Sequence, residues 1–144
     1  MIENLYKNLE IFYNKVQKPF AGIGLVISDK IEGLPIHSVY NSNPSFENET
    51  LVDILIKLSN YNNYYHDGFH VLSSNLEIKC ISQYFFPVPP KELHLEINNN
   101  TGVRYLVAKI GSLHPNIICT AIISDNYGIS IFKDGVEVKA KKYD

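Results

Sequence analysis

Between positions 65 and 70 the chain reads Tyr65-His66-Asp67-Gly68-Phe69-His70, its densest run of side chains able to bind a cation. A histidine beside an aspartate at the mouth of a strand can hold a divalent metal, the carboxylate oxygen directly and the imidazole through one nitrogen. If Gly68 begins a strand, Asp67 lies at its rim, where a loop meets a ligand. His70 then points to one face of that strand and Phe69 to the other. The same spelling also describes an Asp-Gly turn flanked by two incidental histidines, because a metal centre normally needs more ligands than these.

A second candidate is Gly102-Val103-Arg104, which opens a helical pattern after a polar loop. Backbone N–H groups at a helix start, together with one arginine, suit a phosphate. A solvated arginine on a helix is the plainer alternative. Gly22-x-Gly24 lies within an apolar run but lacks the third glycine of a dinucleotide-binding fingerprint. His37, His94 and His114 are isolated. Cys80 and Cys119 stand far apart in β-like runs with no C-x-x-C spacing, which reads as two buried, reduced thiols.

The elements that must position these residues follow from periodicity. Ile2, Leu5, Leu9, Phe12, Tyr13 and Val16 recur at helical spacing and predict an amphipathic helix over 2–17, stopped by Pro19. Leu51, Ile54, Leu55 and Leu58 mark a second helix over 49–59, and residues 102–111 a third. The β-branched run after Ala21 predicts a buried strand over 21–28. Further strands are expected over 68–72, 76–84, 117–124, 127–132 and 136–139, with a short edge strand near 36–40. Ser73-Ser74-Asn75 and Asp134-Gly135 read as hairpin turns, and Asn98-Asn99-Asn100 as a loop. No repeat or linker divides the chain, so residues 1–144 are read as a single α/β domain of mixed α+β type: a twisted mixed sheet flanked by helices.

Composition narrows the partners. A chain of 144 residues with net charge -2 exerts no general pull on nucleic acid or an anionic membrane. The N-terminus shows no signal-peptide pattern, and no apolar run is long enough to span a bilayer. A cytoplasmic protein is expected.

In order along the chain, four blocks resemble the diadenylate cyclase (DisA N-terminal) family. Gly22-Ile23-Gly24-Leu25-Val26-Ile27 is similar to that family's GALIVI strand, and His66-Asp67-Gly68-Phe69 to its HDGA motif. Gly102-Val103-Arg104-Tyr105-Leu106-Val107-Ala108 resembles GTRHRAA, and the segment from Ile122 to Ser130 resembles VVSEETGxIS. The match runs from about residue 20 to 138.

The resemblance implies a pocket for an adenine nucleotide (ATP or a cyclic nucleotide) with Mg²⁺ or Mn²⁺. His66 and Asp67 would hold the metal, Asp67 would be catalytic if the domain is active, and Gly68, Phe69, Gly102, Arg104, Tyr105, Ser124 and Asp125 would bind ligand. It also implies a homo-oligomer, since two such domains must face each other to condense two ATP molecules into cyclic di-AMP. Against the family pattern, Phe69 replaces a small alanine beside Asp67. Tyr105 and Leu106 replace the last two residues of RHR, and of the two acids after Ser124 only Asp125 keeps a carboxylate. Phosphoryl transfer relies on positioned cations. Lys109, about one helical turn past Arg104, is the nearest basic residue on that helix. The expected function is therefore a ligand-binding sensor or regulatory domain with a degenerate cyclase site, acting in trans on a separate effector protein. An active diadenylate cyclase and a structural or interaction domain with a vestigial pocket are the alternatives.

Overall fold

The computed structural model describes residues 1–93 and 102–143; the expected Asn98–Asn100 loop and His94 lie outside them. The chain builds one sheet of seven strands in the order β2-β4-β3-β1-β5-β6-β7. In chain order the elements are α1 (Ile2–Lys15), β1 (Ile23–Ile27), β2 (Ile36–Ser38), α2 (Leu51–Leu58), β3 (Phe69–Leu72), β4 (Ile78–Phe85), α3 (Val103–Gly111), β5 (Cys119–Ser124), β6 (Gly128–Lys133) and β7 (Val136–Lys141). The pair β1–β3 is parallel and every other pair is antiparallel, so the sheet is mixed as its sequence pattern predicts.

The central strand β1 is buried along its whole length, and alternation divides its side chains between two layers. Ile23, Leu25 and Ile27 join Leu5, Leu9 and Phe12 of α1 and Val52 and Leu55 of α2 in one core. Val26 faces the other side, where Phe69, Val71, Ala108 of α3, Ile122 and Phe132 form a second cluster. Leu5, Leu9 and Phe12 recur at helical spacing, so a single face of α1 is buried. Thr50 caps α2 by accepting a hydrogen bond from the Asp53 N–H, 3.2 Å away. Thr120 ties α3 to β5 by donating its hydroxyl to the Ala108 carbonyl at 2.6 Å.

Element ends differ from the sequence reading by a residue or two, for local reasons. β4 starts at Ile78 rather than at 76, since Leu76 takes a left-handed conformation (φ 62°) that ends the turn after β3. β7 runs on to Lys141 instead of stopping at 139, because Ala140 and Lys141 keep pairing with Ser130 and Ile129. Asp134-Gly135 forms the expected hairpin turn, with both residues at positive φ (52° and 78°). No helix among the described residues is long and apolar enough to cross a membrane.

Candidate functional site

A cavity of about 720 Å³ opens between the start of α3, the end of β5, the residues leading into β1, and the start of β3. That volume lies within the range of small-molecule sites, roughly 300–1,000 Å³. Gly68, Phe69, Gly102, Arg104, Tyr105, Ser124 and Asp125 all line it, although they come from three separate parts of the sequence. Phe20, Gly22, Tyr61, Phe85, Asn126 and Tyr127 complete much of the wall. Leu106 and Lys109 do not line it, so among the described residues Arg104 is its only arginine or lysine.

Arg104 is placed by the absence of a side chain. A Cβ at Gly22 would collide with its Nη1 atom, so the guanidinium lies against the bare backbone entering β1. Burial holds its pKa below the ordinary value, while the charge of Asp67 and the nearby Tyr61 act in the opposite sense. No carboxylate among the described residues lies within ion-pairing distance of it. Gly102, the N-cap of α3, provides no side-chain cap. The helix start therefore points N–H groups toward the same region as the guanidinium.

Gly24, two residues on, explains the unexpected ring at position 69. Gly24 pairs directly with Phe69 across β1 and β3, and a Cβ there would stand 2.6 Å from the Phe69 ring. Phe69 also tilts against Phe85, with ring centroids 5.1 Å apart. Where the resembling motifs place leucine on one strand and alanine on the next, this chain has glycine and phenylalanine. The large and the small side chain have exchanged places. The bulk of Phe69 is taken up by the notch at Gly24 while its edge walls the cavity.

Asp125 accepts a hydrogen bond from the Phe20 N–H through Oδ2 at 3.0 Å, which joins the β5–β6 turn to the segment entering β1. Ser124 Oγ accepts from the Tyr127 N–H at 3.0 Å and shapes the same turn. Tyr105 packs edge-on against Phe132 at 4.9 Å. Its phenol pKa is raised, first by burial and then by the nearby Glu137 carboxylate. That tyrosine is thus directed toward β7 even though its flank lines the cavity.

His66 and Asp67 immediately precede Gly68 at the edge of the cavity and are not part of its lining. His66 Nδ1 is 2.8 Å from the Asn63 carbonyl, which can only accept, so Nδ1 carries a hydrogen. The other ring nitrogen, Nε2, lies 3.3 Å from Asp67 Oδ1. One nitrogen and one carboxylate oxygen are therefore neighbours, and the second ring nitrogen is anchored to backbone as metal-binding histidines usually are. Among the described residues no group of three or more metal-type side chains occurs. Two such ligands could hold a divalent cation only if it drew the rest of its shell from outside the protein, as Mg²⁺ commonly does.

Sequence reasoning missed the tyrosine and phenylalanine walls at Phe20, Tyr61, Phe85 and Tyr127, which carry no motif. It read Gly22 and Gly24 only as part of the block that resembles the GALIVI strand and gave neither a role in the site. Their i, i+2 spacing on a strand, which puts both on one face, was the available signal. His70 is fully buried on the face opposite Phe69, as expected, and lies outside the cavity lining. A second cavity of about 420 Å³, between the 43–49 segment, α2 and the start of β4, is lined by none of the motif residues.

Neither a protein-family model nor a curated protein sequence matches the chain. Among solved structures it is similar to DacA from Staphylococcus aureus, determined as a double mutant, with a TM-score of 0.60 and 21% identity. That match covers 98% of this chain and 86% of the other. It is also similar to a hypothetical membrane spanning protein from Bacillus cereus, with a TM-score of 0.61 and 16% identity over 96% of this chain and 62% of that one. At these identities the likeness concerns the fold, which is diadenylate cyclase-like: a seven-stranded mixed sheet flanked by helices.

Proposed function

We propose that this chain is a diadenylate cyclase-fold domain that binds an adenine nucleotide or a related ligand and serves as a sensor or regulatory module with a degenerate cyclase site. One observation carries the reading: a half-buried arginine, seated on a glycine floor at an uncapped helix start, faces a cavity of about 720 Å³ with aromatic walls. A guanidinium and helix N–H groups bind phosphate, and the walls of Phe20, Tyr61 and Tyr127 suit a base or ribose. Asp67 and His66 would hold Mg²⁺ or Mn²⁺ at the edge of the site. The metal would supply charge neutralisation for the phosphates.

Turnover asks for more than binding. In-line displacement needs cations at the departing pyrophosphate, and removing one such group commonly costs several powers of ten. Leu106 can donate nothing to a phosphate, Tyr105 turns toward Glu137, and Lys109 lies outside the lining. Two facing copies and a separate effector protein complete the reading. The test is calorimetric titration of ATP, with Mn²⁺ and with EDTA, into the wild type and Arg104→Ala. Loss of one charge-assisted contact, about 1.5–3 kcal/mol, should weaken binding roughly 10- to 100-fold. Equal affinity in the two proteins sinks the proposal.

A further inference from the structure

His70 is a fully buried, polar side chain in a strand otherwise made of Phe69, Val71 and Leu72. Its position in the ladder is irregular. Phe69 pairs with Gln83 and Val71 with Cys80, so His70 alone faces two residues of β4, Ile81 and Ser82. This is a β-bulge, and its second residue, Ser82, takes a left-handed conformation (φ 53°) that few non-glycine residues adopt. A bulge leaves a backbone group without its ladder partner. Here the Ser82 N–H donates to His70 Nδ1 at 3.0 Å inside the protein. Nδ1 thus carries no hydrogen, the hydrogen sits on Nε2, and Nε2 has no partner among the described residues. A leucine would pack the position without that defect but would strand the Ser82 N–H.

The bulge in turn grips the His66–Asp67 pair from both sides. Ser82 Oγ donates to the Tyr65 carbonyl at 2.8 Å, immediately before His66. Gly68, immediately after Asp67, lies so close to Gln83 that a Cβ would meet the Gln83 carbonyl oxygen at 2.7 Å. The Ser82 carbonyl accepts from the Val39 N–H at 2.9 Å, which ties the bulge to the segment following β2. Tyr65 and Gly68 are therefore both set by the Ile81–Gln83 backbone, and that backbone is held open by one imidazole.

We propose that His70 is a positioning residue for the Asp67 site: through the β4 bulge and Ser82 it fixes the loop that presents His66 and Asp67 to a metal-bound nucleotide. The inference rests on the nucleotide-binding reading and specifies how its metal arm is held. Positioning partners of metal ligands commonly change metal affinity about 10- to 100-fold.

Three variants isolate the relay. His70→Leu removes the acceptor, and His70→Asn restores one through its side-chain oxygen. Ser82→Gly removes the hydroxymethyl side chain and with it the bond to the Tyr65 carbonyl, at a conformation glycine adopts freely, so it tests the relay even if His70→Leu does not fold. Two readouts are taken: ATP affinity with Mn²⁺ against EDTA, and amide hydrogen exchange of residues 63–68 without ligand. In His70→Leu and Ser82→Gly the enhancement by Mn²⁺ should drop about 10-fold or more, with affinity in EDTA unchanged and exchange of the loop accelerated. His70→Asn should keep both near wild type. Wild-type Mn²⁺ enhancement together with wild-type exchange in Ser82→Gly overturns the proposal. If the wild type binds no ATP under either condition while Ser82→Gly still frees the loop, the nucleotide reading fails and the positioning role of the bulge stands.

Discussion

The two faces of the sheet are built to different rules, and β1 shows both. Toward α1 and α2 it presents Ile23, Leu25 and Ile27, which mesh with Leu5, Leu9 and Phe12 into a filled core. Toward α3 the same stretch presents Gly22 and Gly24, whose missing side chains admit Arg104 and the Phe69 ring. One face of β1 is packed throughout; on the other Val26 packs into a second cluster, while the two glycines withhold side chains so that Arg104 and the Phe69 ring can approach. The first should govern stability and the second ligand affinity, and substitutions can separate the two.

The largest expected effect falls on the filled face. Leu9 is fully buried there, and Leu9→Ala should lower unfolding free energy by about 2–5 kcal/mol in urea denaturation. At temperatures where the variant is folded its ATP affinity should equal that of the wild type. A changed affinity would show that the faces are coupled.

His70 belongs to neither rule, since it is a polar group within the filled layer. Burial, and next the charge of Arg104, push its pKa from 6.5 down to about 4. The unfolded chain therefore binds a proton between those values while the folded chain does not. Stability is full above pH 6.5 and is lost as pH falls toward 4, by roughly 3 kcal/mol in all. Comparing the pH dependence of unfolding in wild type and His70→Asn checks this. The variant should lack that share of the loss, and identical profiles would contradict it.

A smaller effect sharpens the open face. Gly24→Leu drives a side chain into the Phe69 ring and should cost about 1–3 kcal/mol by overpacking. Adding Phe69→Ala should recover most of that loss, because it restores the exchanged pair. A double-mutant cycle in urea measures the coupling, and purely additive effects would show that the two positions do not share one space.

These contrasts also show what the sequence could reveal. Helix α1 was legible because Leu5, Leu9 and Phe12 lie on one helical stripe, and the Asp134-Gly135 turn because its conformation demands such residues. The grouping of Gly68, Arg104 and Asp125 around one cavity was legible only through ordered resemblance, since no local pattern joins positions so far apart. The bulge at Ser82 left no mark at all: serine at positive φ is tolerated only because His70 and Tyr65 hold it there. Gly24 and Phe69 each looked like a departure by itself. They make sense as a pair, and the pairing is a fact of strand register.

The central claim, binding without efficient turnover, is tested most directly by incubating the purified protein with ATP and Mn²⁺ and following both nucleotides by mass spectrometry. Intact ATP retained on the wild type and lost from Arg104→Ala, with cyclic di-AMP at the level of a protein-free control, agrees with it. Robust synthesis of cyclic di-AMP by the wild type, abolished by Asp67→Asn, contradicts it and makes the chain an active cyclase.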